Sequence, residues 1–209
     1  FSDGIEVNRG SDPLNPLSIP KKTEFNDFDG DGATDLVVYH RNAGTWYVRR
    51  STNGTQLTKQ WGYPAAVAAP ADFDGDDITD FAVCDVMTGR WYQWLSKIND
   101  GKSVSWMWSV DAIPCPADYN GDNKADLCMY RQSIGTWNIL LTDSNAPAGV
   151  TKSFNWGWSQ TKPVPGDYDG DGKVDAAVFY PAYGYWYVLS SLSSNMYKGK
   201  PLQWGWSGA

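Results

Sequence analysis

The chain has 209 residues, with 24 acidic against 17 basic side chains and a formal charge of −7. That balance makes a phosphate backbone a poor partner, so no nucleic acid is expected. No run of roughly 18 apolar residues is present to insert in a membrane as a helix.

Residues 1–18 fall outside the pattern that organises the rest and read as an N-terminal arm with one short strand candidate, "IEVNR". No signal peptide is visible, and a start at Phe1 fits a processed mature chain as well as a trimmed one. From residue 19 the chain repeats. "DFDGDGATD" begins at Asp27, "DFDGDDITD" at Asp72, "DYNGDNKAD" at Asp118 and "DYDGDGKVD" at Asp167, at intervals of 45, 46 and 49 residues. Nineteen residues after each first aspartate stands a tryptophan: Trp46, Trp91, Trp137 and Trp186. "QWGY", "WMWS", "NWGW" and "QWGW" follow at a drifting offset.

Each unit reads as four short strands. The first runs into the acidic loop ("VAAPAD", "KPVPGD"). The second leaves it ("DLVVY", "DFAVC", "DLCMY", "DAAVFY"). The third carries the constant tryptophan and the fourth the WG-type signature. The second strands are continuously apolar, so both of their faces should be covered. No segment has a capped 3.6-residue apolar period, and almost no helix is expected. Aromatics make up 15% of the chain, and the 21 Gly and 12 Pro suit short strands joined by turns. Four-stranded units of this length match the blades of a β-propeller. The predicted fold is therefore all-β: four blades of four antiparallel strands, spanning about 19–63, 64–110, 111–159 and 160–207. Closure of four blades into one ring, membership of a longer propeller and association of two copies all stay open.

The loops have the make-up of a cation site. Hard oxygen ligands at positions 1, 3 and 5 with a backbone carbonyl at 7 are how calcium loops are built. In the first loop these are Asp27, Asp29, Asp31 and Ala33, and position 9 adds Asp35. The second loop offers Asp72, Asp74, Asp76, Ile78 and Asp80. The third offers Asp118, Asn120, Asp122, Lys124 and Asp126, and Asn120 makes it the weakest. The fourth offers Asp167, Asp169, Asp171, Lys173 and Asp175. Position 4 is always glycine and position 6 is Gly, Asp or Asn, the types that best tolerate a left-handed backbone. An EF-hand is excluded, because position 12 is Val or Met rather than Glu. Sixteen of the 24 acids lie in these loops, and four Ca²⁺ would carry the formal charge from −7 to +1.

The unit "PVPGDYDGDGKVDAAVFY…GYWYVLSS…QWGW" resembles the FG-GAP/VCBS repeats of integrin α-subunits and secreted bacterial proteins, over about residues 19–207. The resemblance implies calcium between the first and second strands of each blade, up to four ions, and a secreted or cell-surface setting. Integrin-type propellers have seven blades, whereas this chain has four units.

Composition points away from catalysis. The single histidine, His40, has no partner motif, and nothing in the sequence brings Asp85 and Asp111 together as a two-carboxylate hydrolase or lyase site. The expected function is a non-catalytic binding module for carbohydrate or an extracellular protein. The ligand-binding candidates are Trp61, Trp108, Trp158 and Trp206, while the mid-strand tryptophans are expected in the core. "NGT" at 53–55 is both a glycosylation acceptor and a favoured hairpin turn, and the turn is preferred. The three cysteines exclude full internal pairing, and a bridge between Cys115 and Cys128 stays open.

Overall fold

The structure is a computed structural model, describing residues 26–107, 109–143, 146–191 and 201–206. The N-terminal arm lies outside the described residues, as does the stretch where the first blade's first strand is expected.

The architecture is that of a β-propeller with four blades in the chain, built from antiparallel sheets with no helix among the described residues. Blade one is β1 (Leu36–His40), β2 (Thr45–Arg49) and β3 (Gln56–Gln60). Blade two is β4 (Val67–Ala68), β5 (Phe81–Asp85), β6 (Arg90–Leu95) and β7 (Asp100–Ser105). Blade three is β8 (Ala112–Pro114), β9 (Leu127–Arg131), β10 (Thr136–Asp143) and β11 (Ala146–Asn155). Blade four is β12 (Lys162–Pro163), β13 (Ala176–Tyr180), β14 (Tyr185–Leu189) and β15 (Leu202–Gln203). Strands pair in sequence order within every sheet. The first strands are short edge strands, which is why two of them tolerate proline, a residue with no N–H to give a ladder.

One cross-strand pair recurs in identical register: Tyr39 with Trp46, Cys84 with Trp91, Tyr130 with Trp137 and Phe179 with Trp186. It fixes the tryptophans at one depth in every blade. Trp46, Trp91 and Trp137 are at most 1% exposed and Trp186 is half-buried. Among the described residues three apolar clusters form the core, between blades one and two, two and three, and three and four.

Two expectations are corrected. The fourth strand of each blade ends at or before the WG-type signature, so the signature lies in the loop beyond the strand; in blade one, β3 stops at Gln60 and Trp61 follows. The second strands are not all covered on both faces. β5 and β9 are buried along four successive residues, but β1 alternates, with Leu36 73% and Val38 64% exposed. The physical reason is neighbourhood: a blade precedes β5, β9 and β13, and no cluster among the described residues packs against that face of β1.

Candidate metal loops and the aromatic seam

Each acidic loop lies directly before the second strand of its blade. The left-handed positions foreseen in the sequence are realised: φ is 73 and 86° at Gly30 and Gly32, 74 and 65° at Gly75 and Asp77, and 85 and 63° at Gly121 and Asn123. This winding turns amide hydrogens inward onto the first aspartate. Asp27 accepts from Gly30 N–H at 2.7 Å and Gly32 N–H at 2.9 Å, and Asp72, Asp118 and Asp167 repeat the arrangement.

The ninth-position aspartate is a clamp. Asp35 accepts from Phe28 N–H at 2.8 Å within the loop and from Ser51 N–H at 2.7 Å beyond β2. Asp80, Asp126 and Asp175 do the same toward Ser96, Thr142 and Ser191. The fifth-position carboxylates turn to hydroxyls of that same segment: Asp31 to Ser51 at 2.7 Å, Asp76 to Ser96 at 2.8 Å, and Asp171 to Ser191 at 2.8 Å. Sequence reasoning missed these partners. Their signal is a hydroxyl residue 24 positions after each first aspartate in all four units: Ser51, Ser96, Thr142 and Ser191.

Positions 1, 3 and 9 converge. Carboxylate oxygens of Asp27, Asp29 and Asp35 lie within 4.8 Å of one another, as do those of Asp72, Asp74 and Asp80 and those of Asp167, Asp169 and Asp175. The third loop forms no such carboxylate triad among the described residues, because Asn120 stands at its position 3 and its amide nitrogen lies 3.5 Å from Asp126. Within two of these triads, Asp29 Oδ1 and Asp74 Oδ1 are buried and lack a hydrogen-bond partner among the described residues. A buried carboxylate oxygen with no donor is costly, and a hard cation is the group that satisfies it. The donor set therefore fits a cation such as calcium. Burial also pushes the carboxyl of Asp72 up to about 6, Asp80 to about 7 and Asp126 to about 6. At position 7, the N–H groups of Ala33, Ile78, Lys124 and Lys173 donate back to the fifth residue of the loop.

The tryptophan candidates divide. Trp61 is half-buried and bolts blade one to blade two: its indole N–H donates to Tyr92 C=O at 3.1 Å, and its ring meets Trp94 edge-on at 5.2 Å. Trp158 packs edge-on against both Tyr180 and Tyr187 at 5.1 Å. Trp206 is 76% exposed, and Trp108 lies outside the described residues. A cavity of about 330 Å³ opens at the first seam, lined by Gln60, Trp61, Gly62, Tyr63, Val83 and Tyr92.

His40 is exposed. Asp85 accepts from the Tyr63 hydroxyl at 2.8 Å, and Asp111 accepts from Ser133 N–H at 3.0 Å and from the Ser109 hydroxyl. The Ser109 and Ser133 hydrogen bonds hold the Asp111 carboxyl below the usual range, which suits an ionised turn brace rather than a general acid. Asn53-Gly54 occupies the β2–β3 turn, where Thr55 N–H donates to Asn53 Oδ1 at 2.9 Å. Cys115 and Cys128 are buried free thiols with sulfurs 3.4 Å apart.

No curated protein and no solved structure matches the chain. The family model of an FG-GAP-like repeat matches residues 27–83, which run from the first acidic loop into β5. That segment of the chain is similar to an FG-GAP-like repeat.

Proposed function

We propose that the chain is a non-catalytic binding propeller at the cell surface or in a secreted protein, stabilised by calcium and directed at carbohydrate. The observation that carries the calcium reading is the pair of buried, partnerless oxygens inside converging aspartate triads, Asp29 Oδ1 and Asp74 Oδ1. The residues that would hold the ion are the aspartates at positions 1, 3 and 9, with position 5 and the carbonyl of position 7 as further oxygen donors. A bound cation would cancel the mutual repulsion of these carboxylates and stabilise only the wound loop, so it favours the folded state. Oxygens that converge within 4.8 Å of one another suit an ion rather than a substrate, and on this reading the metal's role is structural.

Carbohydrate is favoured by the first seam. The cavity there combines the ring surfaces of Trp61, Tyr63 and Tyr92 with the amide of Gln60. A pyranose presents an apolar face for a ring and hydroxyls for an amide. Recurrence of such seams along the chain would turn weak single contacts into useful avidity. A glycan array with calcium-loaded protein, repeated after chelation, tests the reading. Binding to a defined sugar class, weakened by Gln60→Ala in a protein with an unchanged melt, is the expected result. Silence across the array would reject carbohydrate and redirect the search to an extracellular protein ligand.

A further inference from the structure

The three seams between blades are built from one set of contacts. The eighth loop residue of each blade donates its N–H to the first aspartate C=O of the loop before: Thr79 to Asp27 at 2.6 Å, Ala125 to Asp72 at 2.6 Å, Val174 to Asp118 at 2.8 Å. The seventh residue lies over the fourth-position glycine of the loop before. A Cβ on Gly30, Gly75 or Gly121 would sit 3.0–3.1 Å from Ile78, Lys124 or Lys173. Two strand residues are covered at each seam: Phe81 and Val83, Leu127 and Met129, Ala176 and Val178, none more than 8% exposed. In the opposite sense, Trp61 and Trp156 reach forward and donate to Tyr92 and Tyr187 carbonyls at 3.1 and 3.2 Å.

The outer blades carry the two unmatched halves of this interface. Blade one offers the exposed Thr34, the eighth residue of its loop, with Leu36 73% and Val38 64% exposed at the two strand positions buried in every other blade. Blade four offers the Asp167 carbonyl, and Gly170, where an added Cβ would meet nothing within 4 Å. Its forward-reaching tryptophans, Trp204 and Trp206, are 74% and 76% exposed. Among the described residues neither the Thr34 N–H nor the Asp167 C=O has a partner. The first face supplies a donor and a flat apolar strand, the last an acceptor, an open glycine and two rings. Exposed apolar faces of this kind mark association sites, and here each face is the mate of the other.

We propose that the occupant of both faces is a second copy of this chain, docked head to tail. Blade four of each copy packs on blade one of the other and makes two seams of the same kind as the three internal ones. Like faces cannot satisfy each other, since both would present donors or both acceptors, so the contact is heterologous, and two copies close it. The closed pair holds eight blades, within the roughly 4–8 that propellers adopt.

Sedimentation velocity and light scattering on the calcium-loaded chain test this. The expected mass is twice the 23.2 kDa of one chain. Leu36→Arg and Trp204→Glu alter exposed side chains on opposite faces. Each variant alone should be a monomer with a wild-type circular dichroism spectrum. An equimolar mixture of the two should regain the dimer, because one seam in the mixed pair is then fully wild type. A monomeric wild-type chain would overturn the proposal. So would single variants that stay dimeric, a mixture that fails to pair, or a concentration-dependent ladder of longer assemblies in place of a closed pair.

Discussion

Blade two breaks a rule that the other blades keep, and the break has a measurable cost. Trp46, Trp137 and Trp186 each donate an indole N–H to the carbonyl before a glycine: Trp61 at 2.7 Å, Trp156 at 2.8 Å and Trp204 at 3.0 Å. Those glycines, Gly62, Gly157 and Gly205, have φ of 137, 120 and 135°, which side-chain-bearing residues rarely adopt. Blade two has Met107 at this point, with φ 40°. The backbone takes a different path, and the buried Trp91 Nε1 is left with no acceptor among the described residues. Cys84 stands where the other blades have Tyr39, Tyr130 and Phe179, so the crowding that excludes a Cβ at Gly62, its overlap with the Tyr39 hydroxyl, is absent here. Met107→Gly should let the chain follow the common path. Satisfying a buried donor gains about 1–3 kcal/mol, and removing a left-handed non-glycine residue gains about 1 kcal/mol. The added backbone freedom costs about 0.5–1 kcal/mol. The net is a stabilisation of about 2 kcal/mol, a Tm rise of about 4–8 °C for a chain of this size. Calorimetry reads the melt, and the Trp91 indole proton in an NMR spectrum reads the bond through its shift and slowed exchange. Met107→Ala is the control, since alanine cannot follow the glycine path. A Met107→Gly protein that melts no higher than wild type, or an alanine variant that gains as much, would refute the reasoning.

Other expectations follow from the same geometry. Asp126→Ala removes both acceptors of a fully buried clamp and orphans the Tyr119 and Thr142 amides; at about 1–3 kcal/mol for each orphan the loss is about 2–6 kcal/mol, read as a lower urea midpoint. The raised carboxyls of Asp72, Asp80 and Asp126 favour the neutral form in the fold. In chelator their contribution to stability is therefore present in full below about pH 4 and lost as pH rises through about 6–7. A cation opposes that loss, so the Tm gap between calcium-loaded and chelated protein should widen over the same interval, and a gap that narrows contradicts the scheme. Burial pushes the Cys84 thiol up to about 12 and the Cys128 thiol well above its ordinary value. A thiol reagent near neutral pH should find no reactive cysteine in the native protein and three after unfolding in guanidinium, and one after unfolding would mean that Cys115 and Cys128 are bridged.

The loops and the blade count were legible because both rest on short-range spacing. An aspartate every second residue, a glycine at position 4 and a tryptophan 19 residues on each survive without knowledge of the neighbours. The clamp to Ser51, Ser96, Thr142 and Ser191 had an equally constant offset, but serine and threonine are common and their N–H groups, not their side chains, make the shared bond. The exposure of β1 was not legible. "LVVYH" has the same apolar pattern as "LCMYR", and only the presence of a preceding blade decides whether its outer face is covered. The position of Trp61 was half legible: its place near the outer strand and its turn suggested exposure, yet the seam draws the ring under blade two, where it nears Gly101 and Trp94.

The most direct test of the account is a calcium count joined to a melt. The protein is purified without chelator, its metal content is measured by elemental analysis, and its unfolding is followed before and after exhaustive chelation. The account predicts calcium bound at three or four ions per chain, the third loop being the weakest, and a clear fall in Tm on removal that added calcium reverses. A chain that carries no calcium, takes none up by titration calorimetry and melts at one temperature throughout would contradict it.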